Sequence, residues 1–185
     1  MKKRLFIALN LSNETKFKMD QILNCLPNDK NIKKTKIDNL HLTLQFIGDV
    51  NEDIIPKTQD TLNKIAAHYK PFYITFGQVG FFPNLQNLRI VWIGINSPKL
   101  PHIQLHIRQE LKKIITNLDV KSFSPHITLA RIKSPLSNIQ NIQLQSCYKL
   151  NNKQIANKIE SIDLMASQLT PQGPIYTLLS QHRLG

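Results

Sequence analysis

The sequence predicts an α+β fold built on a mostly antiparallel sheet. Three observations support this. Segments of period two alternate with three segments of helical character. Strand-like segments follow one another without an intervening helix, at 71–79 with 88–95 and again near the C-terminal end. His-apolar-Thr-Leu also occurs twice, as HLTL at 41–44 and HITL at 126–129. No stretch rich in Pro, Gly or Ser divides the 185 residues, so one compact domain over 1–185 is expected.

The elements follow in order. Residues 3–10 (KRLFIALN) are β-rich and open the fold. Ser12 and Asn13 can cap a helix with Glu14 in its first turn, running to Leu26 before Pro27. The polar, basic NDKNIKKTKIDN at 28–39 reads as a loop, and LHLTLQFIG as the first motif strand. Asn51, Glu52 and Asp53 start a second helix, which tolerates Pro56 in its first turn and runs to His68. Phe72, Ile74 and Phe76 alternate on one face of the next strand, and LRIVWIGI at 88–95 is another. Ile103, Ile107, Leu111, Ile114 and Leu118 form the apolar stripe of a helix over 99–118. SFSPHITLARI at 122–132 is the second motif strand. IESIDLMAS and IYTLLSQHRL make a final pair joined through the turn LTPQGP.

Lys and Arg number 24 against 12 Asp and Glu, a net charge of +12. That excess attracts polyanions and favours phosphate-rich partners. An anionic membrane surface competes for the same charge, but no long basic amphipathic helix is there to carry it, so no membrane partner is expected. The apolar run after MKKR is five residues long, LFIAL, shorter than the roughly 7–15 of a signal peptide. Cys25 and Cys147 form neither a CxxC nor a disulfide framework. A cytoplasmic protein is expected.

The repeat carries the chemistry. Strand alternation puts Leu40, Leu42, Leu44 and Phe46 on one face and His41, Thr43 and Gln45 on the other. In the second copy Ile127 and Leu129 point inward, while His126, Thr128 and Ala130 point outward. Two such strands side by side would bring two imidazoles and two hydroxyls to one cleft. Two histidines make an acid–base pair for phosphoester chemistry, because an unperturbed pKa of about 6.5 lets one be neutral while the other is charged. The neutral ring takes the nucleophile's proton, the charged ring protonates the leaving oxygen, and threonine hydroxyls hold the non-bridging oxygens. No metal or other cofactor is required by this scheme, and the chain has no GxxxxGK[ST] phosphate loop of the kind an ATP-dependent ligase uses.

RLFIALNL, NLHLTLQFIGDV, VWIG, FSPHITLAR and SQLTPQGPIYTLL together cover most of the chain's landmarks. In content and order they resemble blocks of the two-histidine (2H) phosphoesterase superfamily. The nearest resemblance is to its branch of bacterial and archaeal RNA 2′,3′-cyclic phosphodiesterases, also called 2′-5′ RNA ligases. The resemblance implies a bilobal α+β fold with a pseudo-two-fold axis. Two mostly antiparallel sheets flanked by helices would each lend one motif strand to a central cleft. It implies opening of RNA-terminal 2′,3′-cyclic phosphate to a 2′-phosphate by a monomer. His41 would protonate the leaving 3′-oxygen, His126 would activate water, and Thr43 and Thr128 would hold the phosphate. Arg131 falls where the family has an arginine, although strict alternation points it away from His126. The reverse chemistry would join a 5′-hydroxyl without ATP.

Where relatives often carry an aromatic residue before the first motif, this chain has KKTKID, so Lys33, Lys34 and Lys36 are read either as phosphate contacts or as a solvated loop. Phe6 and Tyr176 line the nucleotide pocket or simply pack, and alternation assigns Phe46 to the core. Trp92 is expected in the core, His68 and His182 at the surface. His102 and His106 have zinc-like spacing on a helix but lack a third ligand. Two other functions fit the sequence: a 2H enzyme acting on small cyclic nucleotides or 2′-5′ oligonucleotides, and a non-catalytic RNA-binding module.

Overall fold

The structure is a computed structural model that describes residues 1–84, 87–148, 155–171 and 173–185. Its first strand, β1 (Lys2–Asn10), is buried over five consecutive residues, Leu5 to Leu9, because it lies mid-sheet under packing on both faces. Ser12 then caps helix α1 (Asn13–Cys25), its hydroxyl accepting the Thr15 amide at 3.2 Å. The expected loop at 28–39 contains a short strand, β2 (Ile32–Lys34), and a 3-10 turn at Ile37–Asn39. Sequence patterning misses this strand because its one buried residue, Ile32, gives no alternation to read.

The first motif forms β3 (His41–Asn51), followed by α2 (Ile54–Ala66), β4 (Phe72–Phe82) and β5 (Ile90–Asn96). Helix α3 (Lys99–Lys112) ends six residues before the expected 118, although the apolar stripe continues as Ile115 and Leu118 buried in the turns beyond. The second motif forms β6 (His126–Ile132), with 122–125 outside the strand. A fourth helix, α4 (Asn138–Tyr148), and a short strand, β7 (Ala156–Ile159), go beyond the elements expected; glutamines and asparagines interrupt the helical stripe. The last pair is β8 (Ser161–Thr170) and β9 (Gly173–Arg183), and Gln172 of the expected turn lies outside the described residues.

The two expected sheets are two four-stranded halves, β7-β4-β5-β6 and β3-β1-β8-β9, antiparallel throughout. They join into one sheet where β3 meets β6 through one ladder pair, Leu42 with Ile127. β2 pairs with β6 beyond that seam, at residues 130–132. Helices α2 and α3 pack on the β3 half, whereas α1 packs with α4, which lies on β4. One core of buried Leu, Ile, Val, Phe and Met side chains runs beneath both halves.

Candidate functional site

A cleft of about 710 Å³ opens on the sheet face away from the helices, and both motif strands line it. The two strands carry the same burial sequence over seven residues: part-buried, buried, part-buried, buried, buried, exposed, buried. In each, the pair of consecutive buried residues marks a bulge. Leu44 is the extra residue of β3 against β1, and Leu129 the extra residue of β6 against β5.

The bulges correct the expected facing. Gln45 and Ala130 turn inward and are buried, while Phe46 and Arg131 turn out to the cleft. Phe46 is therefore not a core residue; it is 55% exposed. Arg131 reaches the same side as His126, which strict alternation denies it.

Antiparallel pairing at Leu42 and Ile127 sets His41 across from Thr128, and Thr43 across from His126. Facing residues on neighbouring strands lie about 4.5–5.5 Å apart at Cα. Both imidazoles are oriented in the same way, from the backbone. His41 Nδ1 lies 2.8 Å from the Asn39 carbonyl oxygen, and His126 Nδ1 lies 2.7 Å from the Ser124 carbonyl oxygen. A carbonyl only accepts, so both rings carry their proton on Nδ1 and turn Nε2 to the cleft. His41 Nε2 accepts the Thr43 hydroxyl at 3.1 Å.

Each ring also has an aromatic flank. Phe6 and Tyr176 lie 4.9 and 5.0 Å from His41 between centroids. Phe82 and Trp92 lie 5.3 and 6.1 Å from His126. Trp92 is thus a part-buried wall of the second motif, stacked on Phe82 at 4.8 Å, and not the core residue expected. A Cβ at Gly80 would overlap its indole, so glycine there gives Trp92 its place. Sequence reasoning misses this flank because it depends on which strands become neighbours.

Burial pushes the His41 pKa down to about 4, and the positive charges of His126 and Arg131 push the same way against the Asn39 carbonyl. His41 is therefore neutral at pH 7 in the open cleft.

Beneath the site, Gln45 holds four polar partners. Its amide nitrogen donates to the carbonyls of Phe46 (2.9 Å) and Asp119 (2.7 Å). Its oxygen accepts from Gln104 (3.1 Å) and Arg108 (3.3 Å). Arg108 also donates to the Lys121 carbonyl at 2.6 Å. The inward turn of Gln45 thereby ties the first motif strand to the 119–124 segment that precedes His126.

The remaining candidates separate cleanly. Lys33, Lys34 and Lys36 border the cleft. His68 is exposed, as expected. His182 is not a surface residue: at 3% exposure its Nδ1 donates to Asn63 Oδ1 at 2.6 Å and its Nε2 accepts the Ser180 hydroxyl at 2.8 Å. His102 is exposed, and His106 bonds the Tyr69 hydroxyl through Nδ1. Among the described residues no three His, Cys, Asp or Glu side chains gather as a metal would need. Cys25 and Cys147 are both free, and burial raises the Cys147 thiol to about 11. No helix of the described residues is long and apolar enough to cross a membrane.

Comparison with known proteins gives a consistent picture. The family described as LigT like phosphoesterase matches residues 9–92 and 96–176. A Methanothermobacter thermautotrophicus protein named RNA 2′,3′-cyclic phosphodiesterase is 30% identical over 100% of both chains. A protein of the same name from Archaeoglobus fulgidus is 31% identical, over 94% of this chain and 96% of its own. A crystal structure from Thermus thermophilus superposes with a TM-score of 0.86 at 25% identity, covering 98% of this chain and 97% of that one. The E. coli LigT structure complexed with 3′-AMP has a TM-score of 0.76 at 22% identity, covering 100% and 99%, and shares the fold. Both histidine motifs fall inside the matched stretches, and the chain belongs to the LigT-like phosphoesterase family, the 2H phosphoesterases its sequence resembles.

Proposed function

We propose that the protein hydrolyses the 2′,3′-cyclic phosphate at RNA ends, leaving a 2′-phosphomonoester, with His41 and His126 as the acid–base pair. The observation that carries this reading is the matched pair of imidazoles. Both donate their Nδ1 proton to a carbonyl two residues back, and both stand beside a threonine hydroxyl across the Leu42–Ile127 seam. The names of the relatives from Methanothermobacter and Archaeoglobus support the substrate. The net charge of +12 suits a polyanion.

In the proposed reaction the cyclic phosphate sits between the two Nε2 atoms. His126 Nε2 takes a proton from water as the water oxygen bonds to phosphorus. The bond from phosphorus to the 3′-oxygen breaks, and His41 Nε2 delivers a proton to that oxygen. Thr43, Thr128 and Arg131 donate to the non-bridging oxygens, where charge is concentrated in the transition state. The donor role requires His41 to gain a proton as substrate enters, and the phosphate charge promotes that gain by offsetting Arg131. With an RNA 5′-hydroxyl in place of water, the same sequence of bond changes forms a 2′-5′ linkage without ATP.

Protein treated with EDTA should convert RNA ending in 2′,3′-cyclic phosphate to the 2′-phosphate, read by the position of the product phosphate. His41→Ala and His126→Ala should each lower the rate by about 10²–10⁴-fold. Undiminished activity in both variants overturns the mechanism, and loss of wild-type activity with EDTA assigns the chemistry to a metal.

A further inference from the structure

Two basic margins flank the paired histidines, and they differ in how much of their charge is already engaged. On one side Arg4 is held by Asp49 in a bidentate pair at 3.0 and 2.6 Å. Arg108 is bound to Gln45 and to the Lys121 carbonyl, and Lys121 pairs with Asp119 at 3.5 Å. On the other side Lys33 and Lys36 have no acidic partner among the described residues.

That second margin is also built into the fold. In the β2–β6 ladder Lys33 is the cross-strand partner of Arg131, so both side chains stand on the cleft face. Lys34, next along, borders the cleft as well, and its charge also acts on the Cys147 thiol. The Lys33 ammonium rests against the β8–β9 turn; a Cβ at Gly173 would lie 2.9 Å from its Nζ. Asn39, whose carbonyl orients His41, donates its side-chain amide to Pro174 O in the same turn at 3.2 Å. Tyr176, two residues further, packs edge-on to His41. A continuous path thus leads from His41 and Arg131, past Tyr176, to Lys33 and then to the exposed Lys36.

We infer that Lys33 and Lys36 form an upstream phosphate track that binds the backbone of an oligoribonucleotide on the 5′ side of its cyclic end. The inference rests on the cyclic-phosphodiesterase reading and narrows it: the preferred substrate is a polynucleotide end and not a cyclic mononucleotide. Free ammonium groups bind phosphates with release of counterions, whereas cations already paired in the protein gain less by the exchange. A mononucleotide reaches only the histidines, the threonines and Arg131.

The test compares a ribonucleotide decamer ending in 2′,3′-cyclic phosphate with the cyclic mononucleotide of the same terminal base. The ratio of their kcat/KM values should fall about tenfold in K33Q/K36Q. It should hold in K57Q/K70Q, a charge-matched change of two exposed lysines on the helix side. The salt dependence of the decamer's kcat/KM should flatten by a slope of about 1.4 for two lost contacts on a single strand. An unchanged ratio in K33Q/K36Q, or the same fall in K57Q/K70Q, overturns the track. If wild-type protein opens neither substrate, the phosphodiesterase reading fails by itself. Fluorescence anisotropy of the labelled decamer then decides the track: weaker binding confined to K33Q/K36Q sustains it, and equal binding in all three proteins overturns it.

Discussion

Phe46 and Arg131 occupy the same place in their strands, each the first exposed residue after a bulge that follows the histidine and threonine. One motif strand thus presents an aromatic ring where the other presents a guanidinium. The charged member faces the phosphate in the proposed reaction, and the ring offers a surface for the nucleoside. Arg131→Ala should lower kcat/KM for a cyclic-phosphate substrate by about 10²-fold, in the range of a lost transition-state donor. Arg131→Lys should recover part of that, since it restores charge but not the planar fork. Phe46→Leu should cost less than about tenfold and act chiefly on KM. Steady-state kinetics of the three variants checks the contrast.

Phosphate binding should be coupled to proton uptake at His41. The ring is neutral in the open cleft because its pKa is held near 4 by burial and by the charges of His126 and Arg131. An anion between the rings favours the charged form, so the pKa rises on binding. Affinity for a nucleoside 2′-phosphate should therefore strengthen as pH falls from 7 to 5. NMR titration of the His41 ring with and without ligand measures the shift directly, and an identical pKa in both states contradicts it. The profile of kcat/KM should be bell-shaped, with limbs that belong to the coupled pair.

Acid should also weaken the fold through the same ring. In the unfolded chain His41 binds a proton below about 6.5, whereas in the folded protein it does so only near 4. The unfolded state holds more protons between those values, so stability falls as pH drops through that window, by up to about 3 kcal/mol from His41. His182 shifts in the same direction, again through burial. Urea unfolding at pH 7.5 and pH 4.5 should show a smaller loss for His41→Gln than for wild type. An equal loss would place the acid sensitivity elsewhere.

Gln45→Leu should damage both stability and turnover. It leaves the Asp119 carbonyl, the Gln104 amide and Arg108 Nε short of a partner in a buried setting. The expected cost is about 1–3 kcal/mol. Because those partners fix the segment leading to Ser124, whose carbonyl orients His126, kcat should fall more than KM rises. Denaturant melts and steady-state kinetics on one preparation test both halves.

The sequence made some of this site legible and hid the rest for definite reasons. His41, Thr43, His126 and Thr128 share the cleft because two residues of plain alternation carry from one to the next. Past the threonine the alternation breaks in both strands, and a bulge depends on the neighbouring strand's register, which no local pattern announces. Hence alternation assigns Phe46 inward, and Arg131 is expected by resemblance against the alternation argument. His182 looks like a surface residue because the helix that covers it, α2, lies more than a hundred residues away in the chain. Trp92 reads as core because its strand is apolar on both sides, yet its indole is the wall behind His126. Asn39 and Ser124 act through backbone carbonyls, so no side-chain chemistry advertises them.

Those two carbonyls have one more consequence. Many histidine pairs in enzymes are oriented by a carboxylate, which places a full negative charge behind the ring. A carbonyl fixes the tautomer with a dipole alone. Among the described residues neither ring has a carboxylate partner, so an imidazolium formed at His41 or His126 finds no counter-ion there. Its charge is left over for whatever anion enters the cleft, which itself completes the electrostatic balance of the site.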